Sequence, residues 1–213
     1  MPTLNEEEAL PTLLQALSHA AVEVIVADGG SDDNTMELAA GYADRVSRGS
    51  PGRSLQMNRG AALAQGEWLW FIHADTRLLS PVDAYLAAIQ QASSWGFFPL
   101  RLSGDAAPLR VIERFINWRS GLSGVATGDQ GLFLRRSLFN SLGGFAEQPL
   151  MEDVELSKRL RASATASIGQ VALETSSRRW EQRGIAKTVL LMWRLRLLYF
   201  LGASPQWLAR QYR

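Results

Sequence analysis

The chain has 213 residues, 46% of them apolar and 20% charged, with a formal net charge of +1. This is ordinary globular composition, long enough to bury a sizeable core. The absence of cysteine excludes disulfide frameworks, Cys-ligated zinc, iron–sulfur clusters and a thiol nucleophile. With only His19 and His73, a multi-histidine metal site is excluded too, and the near-neutral charge makes no electrostatic case for nucleic acid.

The opening MPTLNEEEAL has no basic n-region or apolar h-region, so a cytoplasmic protein is expected. Pro2–Asn5 reads as the end of a strand running into a loop, with almost no strand before it: a truncated first strand. Glu6–Ala20 carries Leu10, Leu13, Leu14 and Leu17 at helical spacing. Val22–Ala27 is a β-branched strand ending in Asp28-Gly29-Gly30-Ser31, and Ser31 or Asp32 caps a helix to about Tyr42. Arg45–Ser47 is a short strand and Ser54–Ala64 a helix. Trp68–Ile72 is a continuous apolar run, as in a strand buried on both faces, and it ends at His73-Ala74-Asp75-Thr76. Pro81 opens a helix to about Ser93.

The second half is less regular. Phe97–Leu102 reads as an edge strand, Leu109–Gly121 as an aromatic helix, Gly131–Leu134 as a strand and Arg136–Leu142 as a short helix. Glu152–Arg161 is a helix, Val171–Ser176 a strand and Ile185–Gly202 a mostly apolar helix; Ser204-Pro205 starts a last one. Strand–helix alternation predicts an α/β fold with a mostly parallel central sheet flanked by helices. Ligands of such sheets bind beyond the carboxyl ends of the strands, which singles out Pro2–Glu6, Asp28–Asp32 and His73–Asp75.

No GxxxxGK[ST] loop and no GxGxxG after the first strands is present, which removes the main support for kinase, ATPase and Rossmann dehydrogenase readings. What remains is a series of carboxylates: Asp28 and Asp75 at strand ends, Asp129 in Thr127–Gly131, and Glu152-Asp153 at a helix start. Carboxylates converging on such a crevice suit a hard cation, Mg²⁺ or Mn²⁺, which would neutralise a diphosphate. A further carboxylate suits a general base. Taken singly, each is as well explained as a turn residue, a cap or a helix-dipole partner; their order along one chain is the stronger signal.

That order resembles the family-2 glycosyltransferases of GT-A type. The resemblance runs through PTLNEE (Pro2–Glu7), ADGGSDDNT (Ala27–Thr35), GRSLQMNRGA (Gly52–Ala61), FIHADT (Phe71–Thr76), GDQGLFLRR (Gly128–Arg136), GGF (Gly143–Phe145), LMEDVELSKRL (Leu150–Leu160) and RRWEQRG (Arg178–Gly184). It looks closest to the small bacterial subgroup found beside radical-SAM or selenium-related genes. The resemblance implies a metal-dependent inverting transferase with a nucleoside diphosphate sugar as donor and an acceptor hydroxyl. It assigns Pro2, Thr3, Asn5, Glu6 and Asp28 to the base and ribose, and Arg53, Gln56 and Arg59 to the neighbourhood of the nucleotide and diphosphate. His73-Ala74-Asp75 stands at the DxD position, so Asp75 is the metal ligand, with His73 a departure. Asp153 is the first choice as base and Glu152 the second. Gly128, Asp129 and Gln130 fall on the acceptor side, and Arg179 and Trp180 near the diphosphate.

Two rival readings are a sugar nucleotidyltransferase and a catalytically degenerate nucleotide-binding relative. The first is disfavoured by acids where a Gly-rich basic loop is expected. Residues 1–184 are read as the transferase domain and 185–213 as a helical appendage. That tail carries Arg and Lys but no acid. Its apolar run near Thr188–Ala203 is interrupted by Arg194 and Arg196 and falls short of the ~20 residues that span a bilayer. It packs on its own domain, forms a homodimer, or rests on the inner face of the cytoplasmic membrane beside a lipid-linked acceptor.

Overall fold

Leu10, Leu13, Leu14 and Leu17 fall on one helical face and are all buried. In the computed structural model, which describes residues 1–178, 181 and 184–212, they build α1 (Leu10–Leu17), with Pro11 in its first turn. The acidic stretch before Leu10 is loop, so the helix starts later than its sequence pattern predicts. α1 packs on β2 (Ile25–Asp28) through Val24 and Val26. β1 (Pro2–Thr3) and β3 (Arg45–Arg48) flank β2, and both pairings are parallel. α2 (Thr35–Tyr42) and α3 (Arg53–Leu63) complete this first α/β layer.

β4 (Trp68–Trp70) pairs antiparallel with β8 (Phe133–Arg135), and β8 pairs antiparallel with β6 (Trp95–Phe97). β9 (Ser167–Ile168) adds parallel to β6. A third sheet joins β5 (Arg77–Leu78), β10 (Leu173–Thr175) and β7 (Leu100–Leu102). Four of these seven pairings are parallel, so the sheet system is mixed rather than uniformly parallel. β1 contributes only two residues, and a slot of about 580 Å³ lies between β2 and β4, lined by Met1, Val24, Ile25, Met57, Leu69 and Phe71 among others. The Met1 ammonium donates to the Ile25 carbonyl at 2.9 Å there, and burial lowers its pKa to about 5.

The expected single strand Phe97–Leu102 is two strands. Pro99, which has no N–H to give a ladder, separates β6 from β7, and the two join different sheets. The remaining helices are α4 (Val82–Gln91), α5 (Ala107–Ser123), α6 (Arg136–Ser141), α7 (Glu152–Ser163), α8 (Ile185–Phe200) and α9 (Pro205–Tyr212). A second core gathers Met57, Leu69, Phe71, Trp95, Phe97, Phe139, Phe145, Leu156 and Leu160. The last two helices are fixed to the body by fully buried Leu195 and Leu208, which cluster with Val125 after α5 and with Met151 and Val154 at the start of α7. Burying each such leucine is worth about 1.5–3 kcal/mol. Among the described residues no helix is long and apolar enough to cross a membrane.

Candidate active site

The first two loops of the chain are laced together. Asn5 sits at φ 56°, the left-handed region that asparagine tolerates better than most residues. Its N–H donates to Ser31 Oγ at 2.9 Å, and its Oδ1 accepts from the Asp32 N–H at 2.9 Å. Glu6 N–H donates to Thr35 Oγ1 at 2.8 Å, and Glu7 Oε2 accepts from the N–H and side-chain amide of Asn34, both at 3.0 Å. Ser31 is thus a bridge between loops, and neither it nor Asp32, the other expected candidate, is the N-cap. α2 begins after Asn34, without a side-chain cap.

Asp28 is buried at the end of β2. Its Oδ1 accepts from the Gly30 and Ser31 N–H groups at 2.8 and 2.9 Å, and its Oδ2 from the Ser31 hydroxyl and, at 3.3 Å, the Thr3 hydroxyl. Burial opposes its charge, but these hydrogen bonds outweigh burial and hold its pKa below the usual carboxylate value.

α3 ties these loops to the rest of the fold. Gln56, 4% exposed, donates from Nε2 to the carbonyls of Thr3 (2.8 Å) and Ala27 (2.9 Å), and its Oε1 accepts from Gly52 N–H at 3.1 Å. Arg59 donates to the Asp28 carbonyl at 2.6 Å. Asn58 exchanges two hydrogen bonds of 2.9 Å with the backbone of Phe145, which pins the Gly-Gly-Phe turn. Gly144 (φ 74°) is required there, since a Cβ would lie 2.7 Å from Asn58 Oδ1. Gln56 and Arg59 therefore act on strand ends, and neither lines the open cleft.

That cleft measures about 750 Å³ and lies beyond these loops, a size typical of small-molecule sites. It brings together Glu6, Arg53, His73, Asp75, Gly128, Asp129, Glu152 and Asp153, from five separate segments. Pro2, Thr3, Asn5 and Asp28 stand behind it rather than in its wall. Gln130 is fully buried, accepting from the Ser120 hydroxyl at 2.8 Å and Thr127 N–H at 3.0 Å, so of the three residues expected on the acceptor side Gly128 and Asp129 reach the cleft and Gln130 does not. Arg179 and Trp180 lie outside the described residues.

Met151, at φ 66°, turns the chain sharply into α7. Asp153 Oδ2 accepts from Gly128 N–H at 2.7 Å and Oδ1 from Val154 N–H at 2.7 Å. Burial raises its pKa, these two donors opposing. Glu152, only 4% exposed, is raised by burial and then by the neighbouring Asp153 charge. Glu6 is raised by burial and then by Asp75. The Arg53 charge opposes the shift in all three. His73 Nδ1 lies 3.3 Å from Asp129 Oδ1. The floor of the cleft is thus a set of carboxylates that share the charge of Arg53, with proton affinity kept high at Glu152 and Asp153.

Sequence reasoning missed part of the wall. Thr188, Met192 and Arg196, spaced four apart on α8, line the cleft together with Tyr212 from α9. Their spacing was visible as one helical face, but the surrounding leucines dominate the pattern. Glu174 on β10 and Arg77 on β5 also line it. Burial lowers the pKa of Arg119 on α5, and the Asp153 charge opposes that shift; no sequence pattern pairs those two residues.

Among the described residues, no three His, Asp or Glu side chains are clustered as a ready-made metal cage. The carboxylate oxygens that line the cleft, those of Asp75 among them, are the donor type that a hard cation takes.

Residues 1–89 match the model of glycosyl transferase family 2. A PGL/p-HBAD biosynthesis glycosyltransferase of Mycobacterium tuberculosis is 30% identical over 165 residues, 68% of this chain and 61% of the relative. A beta-monoglucosyldiacylglycerol synthase of Trichormus variabilis is 23% identical, over 95% of this chain and 52% of the relative. The chain therefore spans about half to three-fifths of the length of these relatives. Among solved structures, S. aureus TarS 1-349 in complex with UDP superposes with a TM-score of 0.65 at 19% identity, covering 82% of this chain and 58% of that one. Glucosyl-3-phosphoglycerate synthase of M. tuberculosis, in complex with Mn²⁺, UDP and glucosyl-3-phosphoglycerate, does so at 0.58 and 22% identity, covering 82% and 68%. The chain has the GT-A fold of these neighbours.

Proposed function

We propose that this chain, which is related to the family-2 glycosyltransferases and has their GT-A fold, moves a sugar from a nucleoside diphosphate donor to an acceptor hydroxyl with inversion. The observation that carries this reading is Asp153. Its carboxylate is fixed by the Gly128 N–H in a cleft of donor-sized volume, and burial makes it a stronger base than a free aspartate. In the proposed step Asp153 takes the acceptor proton, the acceptor oxygen bonds to the anomeric carbon from the face opposite the leaving group, and the bond from that carbon to the diphosphate breaks. No covalent glycosyl–enzyme is needed.

Asp75 is the residue proposed to hold a divalent cation, Mn²⁺ or Mg²⁺, which would neutralise the leaving diphosphate. Arg53 faces the same carboxylates and adds a fixed positive charge. Glu152, whose proton affinity is raised by burial and then by the Asp153 charge, serves as the second choice of base. Asp28, Gln56 and Arg59 are proposed to act by shaping the two nucleotide-side loops, with Pro2, Thr3 and Asn5 supporting from behind the cleft the wall that Glu6 presents to base and ribose. Arg179 and Trp180 are proposed near the diphosphate on motif position alone. Neighbours solved with UDP, UDP-GlcNAc and UDP-Glc make a uridine donor the first to test. We place the reaction in the cytoplasm, where such donors are made. Assignment to the subgroup beside radical-SAM or selenium-related genes rests on motif order.

The test is a thermal-shift screen of UDP, GDP, CDP and dTDP sugars with and without Mn²⁺, on wild type, Asp75→Ala and Asp153→Asn. One nucleotide is expected to raise Tm in a metal-dependent way, with the rise lost in Asp75→Ala and kept in Asp153→Asn. Stabilisation by none of them would refute the reading. Turnover of the stabilising donor is expected to fall about 10²–10⁴-fold in Asp153→Asn.

A further inference from the structure

We propose that the exposed apolar face shared by α5 and α8 docks on the surface of an anionic lipid bilayer. On α5, Val111, Phe115, Trp118 and Leu122 recur once per turn and all are exposed. On α8, Leu190, Trp193, Leu197 and Leu201 do the same, with Phe200 beside them at 77% exposure. The stripes are joined: the Phe115 ring packs, tilted, with its centroid 5.2 Å from that of Trp193 and 5.8 Å from that of Trp118. Single exposed apolar residues are normal on a soluble protein, but a continuous face of this kind marks a contact surface.

Charge selects the occupant. Along α5, α8 and α9 the exposed charged side chains are Arg114, Lys187, Arg194 and Arg210, all basic. The one acid on these helices, Glu113, is engaged by Arg110 at 3.0 Å and by the Leu102 N–H at 3.1 Å. A second copy would set this positive rim against itself, because a two-fold interface pairs a patch with its own image. An anionic lipid surface neutralises it, and each basic residue near such a surface is worth about 1 kcal/mol. Exposed Trp118 and Trp193 have the amphipathic rings that settle at the headgroup level, and arginine stems lie along apolar surface with their charge outward.

The same helix reaches the cleft. α8 turns Leu195 to the core and Thr188, Met192 and Arg196 to the cleft wall, while its third face carries the stripe. A helix is about 10–12 Å across, so docking through the stripe holds the cleft mouth within about that distance of the headgroups. An acceptor with an apolar anchor and a polar hydroxyl head would then meet Asp153 without leaving the bilayer. This last consequence rests on the transferase reading; the docking does not.

The experiment is co-sedimentation of the full chain with phosphatidylglycerol/phosphatidylcholine vesicles and with phosphatidylcholine alone, at about 0.1 M and 0.5 M salt. It is repeated on the triple variant Trp118→Gln, Leu197→Gln, Phe200→Gln, with Tm and oligomeric state measured in parallel. Wild type is expected to bind the anionic vesicles, to lose binding at high salt, and to bind roughly tenfold or more weakly in the triple variant at unchanged Tm. No binding to anionic vesicles at either salt, equal binding by the triple variant, or a dimer abolished by those substitutions would overturn the proposal. If the triple variant melts early, Leu122→Gln and Leu201→Gln, at exposed positions away from the ring cluster, decide the question in its place. The nucleotide-induced rise in Tm is measured on the same variants, so that failure to dock and failure to bind a donor are read separately.

Discussion

Replacing Gln56 by methionine keeps the volume of the side chain and removes every hydrogen bond it makes. Gln56 engages three backbone groups: the carbonyls of Thr3 and Ala27 and the N–H of Gly52. The Thr3 carbonyl keeps a second donor, the Gly29 N–H at 2.9 Å, so its loss is mild. The Gly52 N–H loses its acceptor ahead of α3 but is half-buried and within reach of water. At a net value of about 1 kcal/mol per hydrogen bond, the expected destabilisation is about 3 kcal/mol. For a chain of this length that lowers Tm by about 6–12 °C. Urea titration of wild type and Gln56→Met, with unchanged m, reads the difference directly. Because both amide hydrogens and the oxygen are engaged by backbone, the nucleotide-induced rise in Tm is expected to survive. A loss below about 1 kcal/mol, or a lost nucleotide response at full stability, would refute the view that this residue works through the strand ends.

Three further outcomes follow from other contacts. The buried Glu152 carboxyl has its pKa raised in the fold, so the cost of its charge is absent below the unfolded value, grows as pH rises through the folded one and is complete above it. Glu152→Gln is therefore expected to be more stable than wild type by about 1–3 kcal/mol at pH 7.5 in urea titration, with the gap closing toward pH 4. Asp28 has the opposite sign: its lowered pKa stabilises the fold above the unfolded value of 3.8, and that stability is lost as pH falls through the folded one. Asp28→Asn is expected to flatten the acid limb of the stability–pH curve. In Gly131→Ala the new Cβ lies 2.3 Å from Leu173 Cδ1 at a residue with φ 56°. Left-handed backbone and overpacking together cost about 2–5 kcal/mol, measured by urea or thermal melts.

Local pattern carried most of the element order. The leucines of α1, the β-branched run of β2 and the apolar run of β4 each announce their element, because one face or both faces must be buried. The carboxylates of the cleft were legible for a different reason: acids at strand ends and a helix start are cheap there and expensive elsewhere. Non-local choices stayed hidden. Pro99 divides β6 from β7, yet nothing near it states that the halves join different sheets. Gln56 and Gln130 look like ligands in a motif, but each is spent on backbone or hydroxyl partners, some of them far away in sequence, such as Thr3 and Phe98. Arg196 was read as an interruption of an apolar helix, whereas its position four residues after Met192 turns it into the cleft. That placement depends on which face of α8 Leu195 and Leu208 pin to the start of α7.

The lacing of the first two loops constrains how such a site can diversify. Asn5 and Ser31, Glu6 and Thr35, Glu7 and Asn34 each donate or accept across the gap. Beyond the bonds each loop makes within itself, its shape is set in part by the other. Exchanging one of them for the loop of a distant relative strands the partners left behind, while exchanging both preserves the whole set. Any change of donor engineered into this wall is therefore a two-part transplant, and libraries that randomise a single loop will return mostly unfolded mouths rather than new specificities.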